Sequence, residues 1–243
     1  MKGTLLVKAG RWLLDALLPR VCAHCGEDLH YLRTAPLCRA CEGGLEPLAP
    51  PHCAACGLPL PDGGETCRDC RSRAPRALTA ARAAFVFNPQ LRSLVHALKY
   101  RSRDDLAGWL GAEMAAALRR FPELSPYNFC AAVPLHPARL RRRGFNQAGL
   151  LARRLAAGAN LFFLEGAAER VRDTPSQTSL SKEERAANMA GAFKAAAPEL
   201  VKGRSVLLID DVATTLATLE ELARELRRAG AKDVAAFTLA REP

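Results

Sequence analysis

The sequence predicts an α/β protein, a mostly parallel sheet flanked by helices, preceded by a small cysteine-rich domain. Three observations carry this. Eight of the nine cysteines fall between positions 22 and 70. Beyond them, short apolar runs alternate with stretches of helical periodicity, as strands joined by helical crossovers do. A chain of 243 residues, 49% hydrophobic and 25% charged, suffices for one ordinary core plus an attachment, divided here into residues 1–75 and 76–243. That composition excludes disorder, collagen-like repeats and a polytopic membrane protein, because charges interrupt every apolar stretch short of the roughly 20 residues needed to cross a bilayer.

The first segment, MKGTLLVKAGRWLLDALLPR, reads as an amphipathic helix. Leu5, Leu6, Trp12, Leu13, Leu14, Leu17 and Leu18 form one stripe, and Pro19 stops it. Lys8, Arg11 and Asp15 interrupt the run and no small-residue cleavage site follows, so the segment is not read as an export signal and a cytoplasmic protein is expected. Its few cations favour docking on the protein's own body over a membrane surface.

The cysteines form four CxxC knuckles: Cys22 with Cys25, Cys38 with Cys41, Cys53 with Cys56, and Cys67 with Cys70. Two intervening residues let both thiolates of a knuckle face one tetrahedral ion, so two Zn2+ sites of four cysteines each are expected. Disulfides are the competing use, but without an export signal the reducing compartment favours metal. Consecutive ribbons compete with a cross-braced arrangement, and intervening loops of 12 and 10 residues close at low entropic cost, which favours consecutive pairing. Four thiolates leave no open coordination position, so both sites are read as structural. His24, His30 and His52 are bystanders to a complete cysteine set, and Cys130, in an apolar run, is a core residue. RSRAPRA, 71–77, is the linker.

After the linker, Phe85–Phe87 is a short strand, followed by helical patterns near 90–100 and 103–120. NFCAAVPL, 128–135, is a buried strand, Phe145–Ala157 a helix and LFFLE, 161–165, a strand. A polar excursion spans 168–192. Then come the strand Val206–Ile209, a helix near 217–229 and a last strand, Asp233–Leu239. Ligands of such sheets bind beyond the carboxyl ends of the strands.

The net charge of +10 is concentrated: residues 131–160 hold six basic residues and no acidic one. A cluster of that kind faces phosphates or nucleic acid more often than a mixed solvated face does. Within it, VPLHPARLRRRGFNQ places four arginines before Gly144, which permits an unusual backbone turn. Arg143 beside Gly144 is the first candidate for clamping a pyrophosphate and Arg139 the second, with Arg141 and Arg142 on the surface.

DDVATTLAT ends the Val206–Ile209 strand. Asp210 and Asp211 are adjacent carboxylates suited to accept hydrogen bonds from vicinal ribose hydroxyls. Residues Ala213, Thr214, Thr215, Leu216, Ala217 and Thr218 then form a hydroxyl-bearing turn into a helix, where unpaired N–H groups and the helix dipole hold a phosphate. The plainer alternative is a helix cap with two solvated acids. The excursion RVRDTPSQTSLSKEERAANMAGAF is long enough to be a hood closing over the sugar-phosphate, with Arg170, Arg172, Gln177, Arg185 and Asn188 as its candidate contacts. Its alternative is a surface hairpin held by its own polar contacts.

Taken in order, the knuckles, LVHALKY, VPLHPARLRRRGFNQ, TPSQTSLSKEERAANMAGAF and LLIDDVATTLAT resemble the ComF family over nearly the whole chain. That family joins an N-terminal zinc element to a type I phosphoribosyltransferase domain and is linked to bacterial competence and use of external DNA. The resemblance implies a type I phosphoribosyltransferase-like sheet, Asp210 and Asp211 as the ribose-binding acids of a phosphoribosyl-diphosphate site, and 214–218 as its 5-phosphate loop. One position departs from it: the family's usual TTGxT has Leu216 in place of glycine. A leucine costs about 1 kcal/mol if φ must be positive there, so weakened phosphoribosyl-diphosphate binding is expected.

The loop also lacks the carboxylate base of purine-type relatives, since Thr214 and Thr215 are poor bases near neutral pH. Three functions remain. The first is an accessory protein of DNA uptake that binds single-stranded DNA or a helicase partner. The second is an active transferase using phosphoribosyl diphosphate with Mg2+ and an acceptor the sequence does not identify. The third is a structural adaptor docking through its zinc element. The first is preferred; few aromatics, 6%, point to modest and sequence-indifferent affinity.

Overall fold

The computed structural model describes residues 20–30, 32–72, 76–101, 103–174 and 182–243, without the side chains of residues 182, 183, 185 and 186. The expected N-terminal helix, residues 73–75 of the linker, Gln177 and the Arg185 side chain lie outside the described residues.

Two ribbons come first. In each, the third cysteine opens a short helix: Cys38 precedes α1 (Arg39–Gly43) and Cys67 precedes α2 (Arg68–Arg71). The second ribbon sits directly on the sheet. The Ala81 N–H donates to the Ala55 carbonyl at 3.0 Å and Arg82 Nη1 to the Ala54 carbonyl at 2.9 Å. Gly57, at φ +66°, lies so close that an added Cβ would stand 2.6 Å from the Ala81 carbonyl oxygen. Only glycine allows both the left-handed turn and that approach.

The main body is a five-stranded sheet in the order β1-β7-β6-β2-β3, parallel throughout: β1 (Ala81–Val86), β2 (Phe129–Ala132), β3 (Phe162–Phe163), β6 (Ser205–Ala213) and β7 (Asp233–Arg241). Its centre is dry on both faces, with Val206, Leu207, Leu208 and Ile209 fully buried, as a parallel sheet covered by helices requires. Alternation sends Leu207 and Ile209 into one core cluster and Val206 and Leu208 into the other. Helices α3 (Pro89–Tyr100), α4 (Leu106–Leu118) and α6 (Gln147–Ala159) contribute to the first cluster, and α9 (Ala217–Arg228) to the second. Asn88 and Asn146 cap α3 and α6, their side chains accepting from the N–H groups of Leu91 and Ala148. The excursion is an antiparallel pair, β4 (Ala168–Arg170) with β5 (Phe193–Ala195), carrying α7 (Lys182–Met189) between them; α8 (Pro198–Val201) follows.

Several boundaries differ from the sequence reading. The first strand begins at Ala81 rather than Phe85, because alanine is a weak strand signal even where, as here, every residue of the strand is buried. The second stops at Ala132, just short of Val133 and Pro134, and the third keeps only Phe162 and Phe163. Strand β6 continues past its apolar run through Asp210 and Asp211 to Ala213, and β7 continues to Arg241, its partner in register. Pairing uses backbone groups, so the ladder runs on where the apolar pattern ends. A helix absent from the sequence reading, α5 (Pro137–Arg143), buries none of its residues, which is why it left no periodic signal.

Candidate functional site

The eight knuckle cysteines assemble as two groups in consecutive order, Cys22, Cys25, Cys38, Cys41 and Cys53, Cys56, Cys67, Cys70, the sulfurs of each lying within 4.8 Å of one another. The cross-braced alternative is excluded. Four sulfurs at about 2.3 Å from a tetrahedral zinc stand about 3.8 Å apart, and the Cys25–Cys38 and Cys56–Cys67 separations are 3.8 and 3.7 Å. The clusters therefore fit two structural Zn2+ ions. Burial opposes ionisation of Cys22 and Cys53, but backbone N–H groups aimed at the sulfurs bring both thiols down to about 6. The histidines stay out of both groups: His24 Nδ1 lies 2.9 Å from Ser93 Oγ, and His52 meets Phe121 edge-on. Cys130 is fully buried in the core, and burial pushes its thiol up to about 12.

The two acids stand where the sheet's connectivity reverses. Strand β2 neighbours β6 on one side and sends the chain to β3 on the other, so the crevice between β2 and β6 at their carboxyl ends is the switch point. Because β2 pairs with β6 only as far as Ile209, the β6 edge is open at Asp210 and Asp211. The Asp211 N–H donates to Asp210 Oδ1 at 2.9 Å. Lys99, at the end of α3, forms an ion pair with Asp211 Oδ2, and Gln147 Nε2, at the start of α6, lies 3.5 Å from Oδ1. Burial opposes ionisation of both acids. At Asp211, which is 3% exposed, the Lys99 ammonium outweighs it and holds the carboxyl below its ordinary value. At Asp210, burial and then the negative charge of Asp211 push the carboxyl well above its ordinary value.

Arg143 joins this network, donating to Gln147 Oε1 and lying over the Tyr100 ring at 5.4 Å. Gly144 ends α5 at φ +85° and returns its N–H to Leu140 O at 2.8 Å. Arg139 faces the base of the polar excursion instead, donating to Asp173 Oδ1 at 2.9 Å and to the Thr174 carbonyl. Arg170 is buried, donates to Thr174 Oγ1 and lies over the Phe193 ring; burial, and then the neighbouring Arg139 charge, lower its affinity for the proton against the opposing pull of Asp210 and Asp173. Arg172 donates to the Ala190 carbonyl, and the Asn188 amide nitrogen is buried without a partner among the described residues. The base of the excursion thus carries polar contacts of its own beside the β4–β5 pair.

The 214–218 turn leads into α9. Leu216 holds φ +64°, ψ 3°, the conformation glycine favours, and its side chain is 4% exposed, buried in the cluster that contains Cys56, Cys67 and Leu219. The Ala217 N–H points to Thr215 Oγ1 at 3.4 Å, and the Glu220 N–H bonds the Leu216 carbonyl at 2.8 Å. In the first turn of α9, Glu220 Oε2 accepts from the N–H groups of Ala77 at 2.9 Å and Leu78 at 3.3 Å. Glu221 Oε1 accepts from the Gly191 N–H at 2.7 Å.

The structure therefore gathers Asp210 and Asp211 with Arg143 through Gln147, and places Arg170 within electrostatic range of Asp210. Sequence reasoning missed Lys99 and Gln147. Lys99 stands in LVHALKY and Gln147 in VPLHPARLRRRGFNQ, but neither segment betrays that it meets the acids.

Residues 13–71 match the double zinc ribbon domain family and residues 140–243 the phosphoribosyl transferase domain family. The chain is 30% identical to Competence protein F of Haemophilus influenzae, over 90% of this chain and 96% of that protein. It is 34% identical to the DNA utilization protein YhgH of Escherichia coli, over 78% of this chain and 83% of that one. A solved hypoxanthine phosphoribosyltransferase of Staphylococcus aureus, 12% identical, overlaps 58% of this chain and 65% of its own with a TM-score of 0.37. With paired cysteine centres ahead of a parallel sheet, and with relatives matched along most of their length, the chain belongs to the ComF family.

Proposed function

We propose that this protein is a cytoplasmic accessory of DNA uptake that binds single-stranded DNA, alone or beside a helicase partner, and keeps a sugar-phosphate pocket at Asp210, Asp211 and the 213–218 turn. The observation that carries the nucleic-acid reading is α5 with Tyr100. Helix α5 buries nothing and ends in Arg141, Arg142 and Arg143; Arg141 and Arg142 make no ion pair among the described residues. Tyr100, 68% exposed, has the His96 ring 5.0 Å and the Arg143 guanidinium 5.4 Å from its own ring. Cations track a phosphate backbone and an exposed ring stacks on a base, which together suit a single strand without sequence preference. The names of the relatives, a competence protein and a DNA utilization protein, point the same way.

Anisotropy of a labelled oligo-dT tests this. Affinity is expected to fall about tenfold or more between about 50 and 200 mM salt, by counterion release, and Tyr100→Ala to weaken binding about fivefold by loss of stacking. Salt-independent binding, or a Tyr100→Ala protein indistinguishable from the parent, would sink the reading.

In the pocket, Asp210 and Asp211 are assigned to the ribose hydroxyls, the turn and the α9 N-terminus to the 5-phosphate, and Arg143 with Gly144 and Arg139 to the pyrophosphate. The hood residues Arg170, Arg172 and Asn188 are assigned to its closed form. The position of the acids at the switch point supports the second reading, an Mg2+-dependent phosphoribosyltransferase. The ion pair that occupies Asp211 and the absence of a carboxylate from the turn weigh against it. Leu216 bears on affinity in a way the sequence alone did not suggest. The turn already holds the positive φ before any ligand binds, and the leucine side chain is buried in the core, so the conformational cost falls on folding and is not charged again on binding. Leu216→Gly is expected to change phosphoribosyl-diphosphate affinity less than about threefold while destabilising the fold by about 2 kcal/mol through lost burial. Calorimetry and thermal melting separate the two, and a large gain in affinity would reverse the argument.

A further inference from the structure

We infer that the second ribbon and the 214–218 turn form one coupled unit in which Arg241 is the positioning residue, so that zinc at Cys53, Cys56, Cys67 and Cys70 and an anion in the turn strengthen each other's binding. This rests on the sugar-phosphate reading of the turn.

Arg241 ends β7 and is 6% exposed. Its Nε donates to the carbonyl of Cys56, inside the metal knuckle, at 3.1 Å. Its Nη1 donates to the carbonyls of Ala213 at 3.1 Å, Thr214, and Glu242 at 2.7 Å. One planar guanidinium thus spans the knuckle and the entry to the turn. Its donors are fixed in a fork, so it cannot follow a knuckle that shifts while keeping its hold on the turn. Arg241 makes no ion pair among the described residues. Its guanidinium hydrogen bonds go to carbonyl oxygens, and two of these belong to Ala213 and Thr214 at the entry to a turn read as an anion cradle, where a positive charge favours the ligand.

A second strut reaches the far side of the turn. Arg76 Nη1 lies 3.0 Å from Cys70 Sγ, and its Nε donates to Glu220 Oε1, on the first turn of α9, at 2.6 Å. Leu216 is the third link, buried in the cluster that holds Cys53, Cys56 and Cys67. Entry, apex and exit of the turn are each tied to the second ribbon. The first ribbon makes no hydrogen bond to the turn among the described residues; its contacts run to α3, as from His24 to Ser93. Coupling between two binding sites is reciprocal, so the anion must protect the second zinc if that zinc supports the anion site.

The test follows zinc release from the full-length, zinc-loaded chain into excess chromogenic chelator, with and without phosphoribosyl diphosphate, beside calorimetry of the same ligand. We expect one of two release phases to slow about fivefold with ligand, the other serving as internal control. Arg241→Gln and Arg241→Lys should both abolish the slowing, since neither spans the two sides. Should Arg241→Gln fail to fold, ligand protection in the parent protein decides alone. Ligand binding that leaves both phases unchanged, or slows both equally, overturns the coupling and leaves the pocket intact. No ligand binding in the calorimeter overturns the sugar-phosphate reading itself, and the coupling with it.

Discussion

Removal of zinc is expected to destabilise the whole chain, not the ribbons alone. In isolated zinc modules about 10 kcal/mol or more of metal-binding energy is folding energy. Here Cys53, Cys56 and Cys67 are buried in the same cluster as Leu78, Ala81, Leu216 and Ala236. The second ribbon also bonds to β1 through Ala55 and Arg82. Loss of its metal therefore exposes sheet surface as well as thiols. Cys53→Ser is expected to leave one zinc per chain by metal analysis and to cost about 5 kcal/mol, lowering the melting midpoint by more than about 10 °C for a domain of this size. One lost zinc with an unchanged midpoint would show the ribbon to be an independent appendage.

The second large effect is expected at Lys99. Lys99→Met leaves Asp211 buried beside Asp210 without its ion-pair partner, and breaking a buried pair from one side costs on the order of 3 kcal/mol. The pH dependence carries the diagnosis. In the parent, Asp211 is depressed in the folded state, so its stabilising contribution is present above the ordinary carboxylate range and is lost as pH falls through the depressed value. In the variant both acids are raised by burial and mutual repulsion, so stability should recover as pH falls from neutrality and the carboxyls take up protons. Denaturant melts of both proteins from about pH 7 down to pH 5 measure this; a deficit that does not narrow on acidification would mean that Lys99 contributes packing and not charge.

The legible parts of the site were those whose chemistry is contiguous in the chain. Two-residue cysteine spacing suits a tetrahedral ion, and adjacent acids followed by a hydroxyl-rich turn are the pattern proposed above for a sugar-phosphate; each lies within one short segment and can be read locally. Lys99 and Gln147 belong to other helices and reach Asp211 only because the sheet order sets α3 and α6 over the same strand end. Nothing within either segment encodes that meeting. The same limit explains the strands. The β6 apolar run announces itself, whereas alanine-rich β1 is recognisable only once its burial beneath the helices and the second ribbon is known. Leu216 shows a third situation: a rule about glycine correctly located the left-handed position, but where the leucine side chain goes is a matter of packing that no rule of backbone geometry contains.

Glu220 and Glu221 are neighbours near the start of α9, yet one holds the segment arriving from the cysteine-rich ribbons and the other holds Gly191 at the foot of the excursion. The start of that helix is therefore a shared anchor for two segments far apart in the chain, and a substitution that displaces it would loosen both at once.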